Sequence, residues 1–214
     1  MKTPLITREV YRFKESHLEV LACRLDFKEL LRREVTLTRI LSDDEKRKLR
    51  ARTEDRLRFL AGRILLRFEL GNRLSLAPAE VPLARTRWGK PVLGPGCDDL
   101  LFNLAHSGEN ILLAMTSTSP VGVDVETTRR CPQSVIERFH PLERATLAQQ
   151  SRGTRPRAFG RLWAAKEACM KCRGRGSISS VEVTLAQKGR WQDIEWHRVE
   201  PSGDFLGVVA VGVG

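Results

Sequence analysis

No stretch of this 214-residue chain approaches the ~20 consecutive apolar residues that a membrane-spanning helix requires. Its first 26 residues are interrupted by Lys2, Arg8, Glu9, Arg12, Lys14, Glu15 and Glu19, where a secretory signal needs an unbroken apolar segment. The expected location is therefore cytoplasmic, with no membrane partner. Cysteine is sparse: Cys23, Cys97, Cys131, Cys169 and Cys172 are an odd number at scattered spacings, in a chain long enough to bury its own core. That predicts reduced thiols rather than a disulfide framework. Aromatic residues make up only 6%, with a single tyrosine, Tyr11, and no zinc-finger, RNP-type or helix-turn-helix pattern is present. These absences weigh against a nucleic-acid-binding protein, the competing reading that a net charge of +11 invites. Low-complexity tracts and residue-level internal repeats are also missing, which leaves an ordinary globular fold.

What the chain does have is positive charge in two places. Residues 32–73 carry thirteen Lys and Arg against seven Asp and Glu, and residues 152–175 carry eight against one. Two basic segments in an otherwise near-neutral chain point to an anionic partner: nucleic acid, a phosphorylated small molecule or an acidic protein.

Alternation of Leu18, Val20 and Ala22 predicts a strand over 17–25. Ser42 followed by Asp43, Asp44 and Glu45 is a capping box, and it opens a helical region with apolar positions through Phe68, a second cap at Thr53 and a stop at Gly71-Asn72. Residues 77–95 read as loops. Strands are expected at 100–104, 111–116 and 121–126, then helices over 133–150, interrupted near Pro141, and over 156–172. Final strands are expected over 178–185, 193–199 and 205–213. Each half thus combines helices with a small sheet, an α+β pattern.

Three segments could carry chemistry. In Val121-Gly122-Val123-Asp124-Val125-Glu126 a strand would put both carboxylates on the face opposite the valines, roughly 7 Å apart, close enough to converge on one small divalent ion. The alternative is a solvated acidic sheet face. In Trp163-Ala164-Ala165-Lys166-Glu167-Ala168-Cys169-Met170-Lys171 a helix would align Trp163, Glu167 and Lys171, with Lys166 one step around. Glu167 and Lys171 equally fit a plain surface ion pair. In Phe102-Asn103-Leu104-Ala105-His106-Ser107 the imidazole could donate to a phosphate or cap a turn. Cys169-x-x-Cys172 has no second pair with which to hold zinc.

Taken in order, FNLAHS, VGVDVE and WAAKEACMK, with Gly89-Lys90-Pro91 upstream, resemble the signature of the Sfp-type 4′-phosphopantetheinyl transferases. Phe59-Leu60-Ala61-Gly62-Arg63 and Arg138-Phe139-His140-Pro141-Leu142-Glu143-Arg144 add to the resemblance, which spans about residues 40–175. It implies two similar helix-plus-small-sheet halves related by a pseudo-twofold, with the active site in the cleft between them: an N-terminal half over 1–116 and a C-terminal half carrying the metal site over 117–214. The implied activity, of the holo-acyl-carrier-protein synthase type, moves the phosphopantetheine arm of coenzyme A onto a serine of an apo acyl, peptidyl or polyketide carrier protein. Adenosine 3′,5′-bisphosphate is released. The implied partners are an acidic carrier protein and coenzyme A, with no nucleic acid, and the enzyme is expected to act as a monomer.

The resemblance also implies roles for residues. Asp124, Glu126 and Glu167 would hold Mg2+, and Glu167 would take the serine proton. Lys171 would neutralise the pyrophosphate of coenzyme A, assisted by Lys166. Lys90, Arg85, Asn103 and His106 would contact the nucleotide end, with Lys46 or Arg47 as a further phosphate contact. Two positions depart from the family pattern: Ala105 replaces a serine before the histidine, removing one hydroxyl, and Ala164 replaces a small polar residue.

Overall fold

The computed structural model describes residues 6–13, 17–49, 53–86, 89–97, 99–127, 132–174, 176–200 and 205–213. The fold is α+β, with ten strands among the described residues, β1 (Ile6–Phe13), β2 (Leu18–Leu25), β3 (Leu83–Arg85), β4 (Pro91–Leu93), β5 (Leu101–Ser107), β6 (Asn110–Thr116), β7 (Val121–Thr127), β8 (Lys188–Trp191), β9 (Ile194–Val199) and β10 (Phe205–Gly212). The helices are α1 (Phe27–Thr38), α2 (Asp43–Lys48), α3 (Thr53–Leu74), α4 (Gln133–Ile136), α5 (Pro141–Ala148) and α6 (Arg155–Arg173). Strand orders are β1-β2-β6-β5, β7-β10-β9-β8 and β3-β4. Contacts divide the chain into two compact units, one of Met1–Arg8 with Cys23–Leu100 and one of Glu9–Ala22 with Leu101–Gly214.

The first unit is helical around α3. Asp26 accepts from the backbone N–H groups of Lys28 and Glu29 and so starts α1, a helix that the sequence did not announce. Ser42 and Glu45 form the expected capping box of α2, and Thr53, expected as the cap of a second helix, is the first described residue of α3 and lies within it. The expected stop at Gly71-Asn72 is overturned, because α3 continues to Leu74. Gly71 lies inside the helix for another reason: the chain doubles back after it, and a Cβ there would stand 2.8 Å from the carbonyl oxygen of Leu76. The reversal falls on Ser75, at φ 56°. Residues 77–95, expected as loops, hold a 3-10 turn at Pro78–Glu80 and the β3-β4 hairpin.

In the second unit, β7 has two faces. Val121, Val123 and Val125 join one apolar cluster with Leu112, Ala114, Val199, Phe205, Val209 and Val211. The other face, bearing Gly122 and Asp124, lies under α6, whose Leu162, Ala165, Ala168 and Cys169 form a second cluster with Trp196, Val208 and Ala210. The helix approaches so closely that a Cβ on Gly122 would fall on the backbone of Ala168 and Cys172, 2.9 Å from the carbonyl carbon of Lys171. Gly174, at φ 74°, ends α6 in the left-handed conformation. The strand expected over 178–185 does not form: Ile178–Ser180 is a 3-10 turn, and residues 181–185 are irregular although Val181 and Val183 are buried alternately with exposed neighbours. The described thiols Cys23, Cys97, Cys169 and Cys172 are free, as expected, and Cys131 lies outside the described residues.

The two units share one interaction pattern that residue-level comparison does not reveal. In the first, Arg67 of α3 donates to Glu45 at 2.8 Å and to the carbonyls of Pro78, Ala79 and Val81. In the second, Lys166 of α6 pairs with Glu143 at 2.7 Å and donates to the carbonyls of Ile178 and Val181. Each carboxylate is the third residue of a short capped helix, and each set of carbonyls belongs to the 3-10 turn after the long helix or to its flanking residue. The halves are similar in this physical sense.

The close contact at Gly122 makes that position sensitive to a single methyl group. Gly122→Ala should destabilise the chain by about 3 kcal/mol or more, since backbone rather than a movable side chain occupies the space. Gly153→Ala, where a Cβ meets only Ser151 Oγ at 4.0 Å, should leave thermal unfolding nearly unchanged. Equal melting temperatures for both variants would contradict the packing described.

Candidate active site

Asp124 and Glu126 stand two residues apart on β7, opposite Val208 and Leu206 of β10. Burial beneath α6 leaves Asp124 only 6% exposed, so the solvated acidic face is not what forms. Lys171 reaches back from the last turn of α6 and donates to Asp124 Oδ1 at 2.6 Å. The plain Glu167-Lys171 surface pair is therefore not the arrangement adopted. Asp124 Oδ2 is buried and has no hydrogen-bond partner among the described residues. Burial pushes the Asp124 carboxyl up to about 7; Lys171 pulls against this, and the charges of Glu126 and Glu167 add to it. Glu126 is also raised, chiefly by burial, while the indole N–H of Trp163 and the charge of Lys171 oppose the shift. Trp163 is held by stacking on Phe139 and Phe159, at centroid distances of 6.4 and 6.1 Å.

Four of the expected residues, Asp124, Glu126, Glu167 and Lys171, are thus electrostatically coupled around one place. Lys166 is not with them. One residue is about 100° around a helix, and that rotation turns Lys166 into the core, where it is 0% exposed. Its ammonium is taken by Glu143 and two carbonyls and lies 5.1 Å over the Phe139 ring. The expectation that Lys166 assists at the pyrophosphate gives way to a structural role, because no face of its ammonium is open. Asn103 is likewise internal: its side-chain carbonyl accepts from the Val123 N–H at 2.9 Å, tying β5 to β7 one residue before Asp124. His106 is exposed on β5, and Ala105 beside it packs into the core.

The remaining expected residues belong to the first unit. Lys46 and Arg47 pair with Asp43 and Asp44 on the surface of their own helix. The cations that crowd one another are instead Lys48, Arg63 and Arg85. Arg63 and Arg85 lie over the Phe59 ring at 5.1 and 5.6 Å. Burial, then the charge of Arg85, lowers Arg63 to about 10, and Glu45 works against that. Desolvation and the same two arginines lower Lys48. Arg85 Nη2 is buried with no partner among the described residues. Lys90, half-buried, follows the tight turn at Gly89, whose φ is 82°. Sequence reasoning quoted Arg63 only inside a motif and missed its part in this cluster; an arginine amid the apolar positions of α3 was the available signal.

Among the described residues, no three His, Cys, Asp or Glu side chains converge as a ready-made metal cage. The donor set nevertheless suits Mg2+, since the carboxylates of Glu126 and Glu167, hard oxygen donors, act on Asp124, whose buried Oδ2 lacks a donor among the described residues. Among the described residues no helix is long and apolar enough to cross a membrane.

Comparison with known proteins gives the family. A sequence model described as the 4′-phosphopantetheinyl transferase superfamily matches residues 120–205, which include β7 and α6. A second, described as the N-terminal part of 4′-phosphopantetheinyl transferase, matches residues 11–118. The chain belongs to the 4′-phosphopantetheinyl transferase superfamily. It is similar to the 4′-phosphopantetheinyl transferase HetI of a Nostoc species, at 36% identity over 138 residues, covering 62% of this chain and 58% of that protein. Similarity to the 4′-phosphopantetheinyl transferase Sfp of Bacillus subtilis is 30% over 141 residues, covering 64% and 62%. A phosphopantetheinyl transferase of a Thraustochytrium species matches at 34% over 137 residues, covering 57% and 48%. The matches with these relatives therefore span about half to three-fifths of their length.

Two predictions arise from the buried charges. Because the Asp124 carboxyl titrates near 7 when folded and near 3.8 when unfolded, its ionisation weakens the native state progressively as pH rises through that window. Asp124→Asn should then be more stable than the parent at pH 8 in chelator-treated buffer, on the order of 3 kcal/mol, with the gain shrinking toward pH 5. A variant less stable than the parent at pH 8 would refute the assignment. Lys166→Met should cost about 3–5 kcal/mol by leaving the Glu143 carboxylate buried without its counter-charge. Urea titration should show part of that loss recovered in Lys166→Met/Glu143→Leu, the remainder reflecting the Val183 and His140 N–H groups that lose their acceptor.

Proposed function

We propose that this chain transfers the 4′-phosphopantetheine arm of coenzyme A to a serine hydroxyl of an apo carrier protein, releasing adenosine 3′,5′-bisphosphate. The observation that carries this reading is the buried Asp124 with one oxygen paired to Lys171 and the other without a donor among the described residues, beside Glu126 and Glu167. Asp124, Glu126 and Glu167 would hold Mg2+, which when bound supplies a hard cation for pyrophosphate oxygens.

The residues of the chain do the remaining work. Lys171 offsets the negative charge of the pyrophosphate and of the carboxylates beside it. Glu167 accepts the proton of the serine hydroxyl as its oxygen bonds to the phosphorus bearing the pantetheine arm. The bond from that phosphorus to the bridging oxygen breaks, and the electron pair leaves with the nucleotide. The packing of α6 on β7 holds these groups in place, so the acceptor is positioned rather than covalently activated. In the first unit, Arg85 with Lys48 and Arg63 offers donors to phosphate oxygens of coenzyme A, and Lys90 stands near the same hairpin. His106, exposed on β5, is a further candidate donor. The division into halves over 1–116 and 117–214, action as a monomer and an acidic carrier belong to this same reading.

The test is a transfer assay with coenzyme A, Mg2+ and a panel of apo carrier proteins. The carrier should gain the mass of the phosphopantetheine arm with an equal amount of nucleotide released, and chelation should stop the reaction until Mg2+ is restored. Lys171→Ala and Glu167→Gln should each lower kcat/KM by about 100-fold or more while thermal unfolding stays cooperative. Near-parental turnover in either variant would overturn its assigned role.

A further inference from the structure

The strand that carries the carboxylates is held along its second edge by side chains. β5 ends the order β1-β2-β6-β5 and β7 begins the order β7-β10-β9-β8, so each is an edge strand of its own sheet. Two side-chain contacts join them: Asn103 Oδ1 accepts the N–H of Val123 at 2.9 Å, and the hydroxyls of Ser107 and Thr127 lie 3.5 Å apart. The two contacts are four residues apart on both strands, and the part of β7 that they bracket is residues 124–126. Both strand carboxylates of the site lie in that bracket.

The Asn103 contact is the shorter and the more buried of the two. Asn103 is 5% exposed and Val123 is 0% exposed, and a backbone N–H so placed needs an acceptor. That N–H points away from β10, so by alternation the backbone N–H of Asp124 points toward Val208 of β10. β10 therefore holds Asp124 by one edge of the strand, and Asn103 sets the tilt of β7 from the other. Gly122, on the far side of the same peptide bond, seats the strand against the backbone of α6. An N–H can only donate, so the Asn103 atom that meets it is the oxygen, and little of this side chain is left open to a ligand.

We propose that Asn103 is a positioning residue for the transfer reaction: through the backbone of Val123 it holds Asp124, with its buried Oδ2, in line with Glu126 and Glu167 beneath α6, and it does not contact the nucleotide. This rests on the transferase reading above. Groups that orient a metal-binding carboxylate from behind are typically worth 10- to 100-fold in metal affinity or activity, and a misplacement of about 1 Å at a reacting centre can cost about 100-fold in rate.

The experiment uses Mn2+ as the probe of the carboxylates, titrated without substrate by electron paramagnetic resonance, and adenosine 3′,5′-bisphosphate, titrated calorimetrically without metal, as the probe of nucleotide contact. Asn103→Leu, close in volume but with no acceptor, should raise Kd for Mn2+ and lower kcat, each at least about tenfold. Its Kd for the bisphosphate should stay within a factor of about two. Asn103→Asp keeps an accepting oxygen in either protonation state and should bring Mn2+ affinity back to within about threefold of the parent. Phe102→Leu, equally buried one residue earlier on β5, reports destabilisation alone and should leave Kd for Mn2+ unchanged. If Asn103→Leu fails to fold, Asn103→Asp decides, because a carboxyl facing a phosphate would weaken bisphosphate binding about tenfold or more, whereas one behind β7 would not. Unchanged Mn2+ affinity in Asn103→Leu, an equal loss in Phe102→Leu, a tenfold loss of bisphosphate affinity in either Asn103 variant, or no Mn2+ binding by the parent would each overturn the proposal. A parent that binds Mn2+ in an Asn103-dependent way but transfers nothing would defeat the transferase reading and leave the positioning of the carboxylates standing; transfer equally fast in parent and Asn103→Leu would do the reverse.

Discussion

The buried pairing of Lys166 with Glu143 is the constraint on which the second unit depends. An ammonium with no exposure must have every donor occupied, and the pairing joins three segments: the middle of α6, which bears it, the start of α5, and the turn at Ile178–Ser180 with the adjoining Val181. Such a pair adds little net stability relative to apolar packing, but it is costly to break, so α6 has one rotational setting rather than several. Given that setting, Glu167 and Lys171 must face β7. Glu143 reinforces it by accepting the N–H of Val183 and that of His140, so the same carboxylate starts α5 and fixes the irregular segment beyond α6.

The chemistry then depends on how near the helix lies to the strand. Gly122 lets α6 approach β7 at backbone distance, and Asp124, one pleat along, is carried beneath the helix out of water. A carboxylate so placed favours its protonated form unless cations surround it, and Lys171 supplies only part of that compensation. The site is thus electrostatically incomplete, an expected state for groups whose proper partner is a ligand. Stability is given up locally and restored by the two apolar clusters on either side of β7.

Much of this was legible in the sequence because it rests on short periods. A strand puts Asp124 and Glu126 on one face, a helix puts Trp163, Glu167 and Lys171 on one face, and both alignments hold. Where the reading failed, long-range contacts had overridden local pattern. Val181 and Val183 alternate with exposed neighbours as strand residues do, yet their segment pairs with no strand among the described residues, and the Val181 carbonyl serves Lys166 instead. Lysine is read as polar, so the alignment of Lys166 with the core stripe went unseen. The first helix escaped because Leu31 and Val35 are exposed and blur its apolar face. Arg63 and Arg67 interrupt the apolar run of α3, and only the folded chain reveals that one crowds other cations while the other is an anchor.

That anchor occurs twice, as Arg67 with Glu45 and as Lys166 with Glu143, and its recurrence bears on ancestry. Two segments that keep a cation, a capping carboxylate and a following 3-10 turn in the same order descend most simply from one duplicated unit. After duplication, selection could hold the anchor and release the rest of the long helix. In one unit the long helix contributes Arg63 beside the Phe59 ring, and in the other it brings Glu167 and Lys171 to the carboxylates of β7. The two long helices therefore differ in the groups they carry around a seating that the same kind of anchor settles in both.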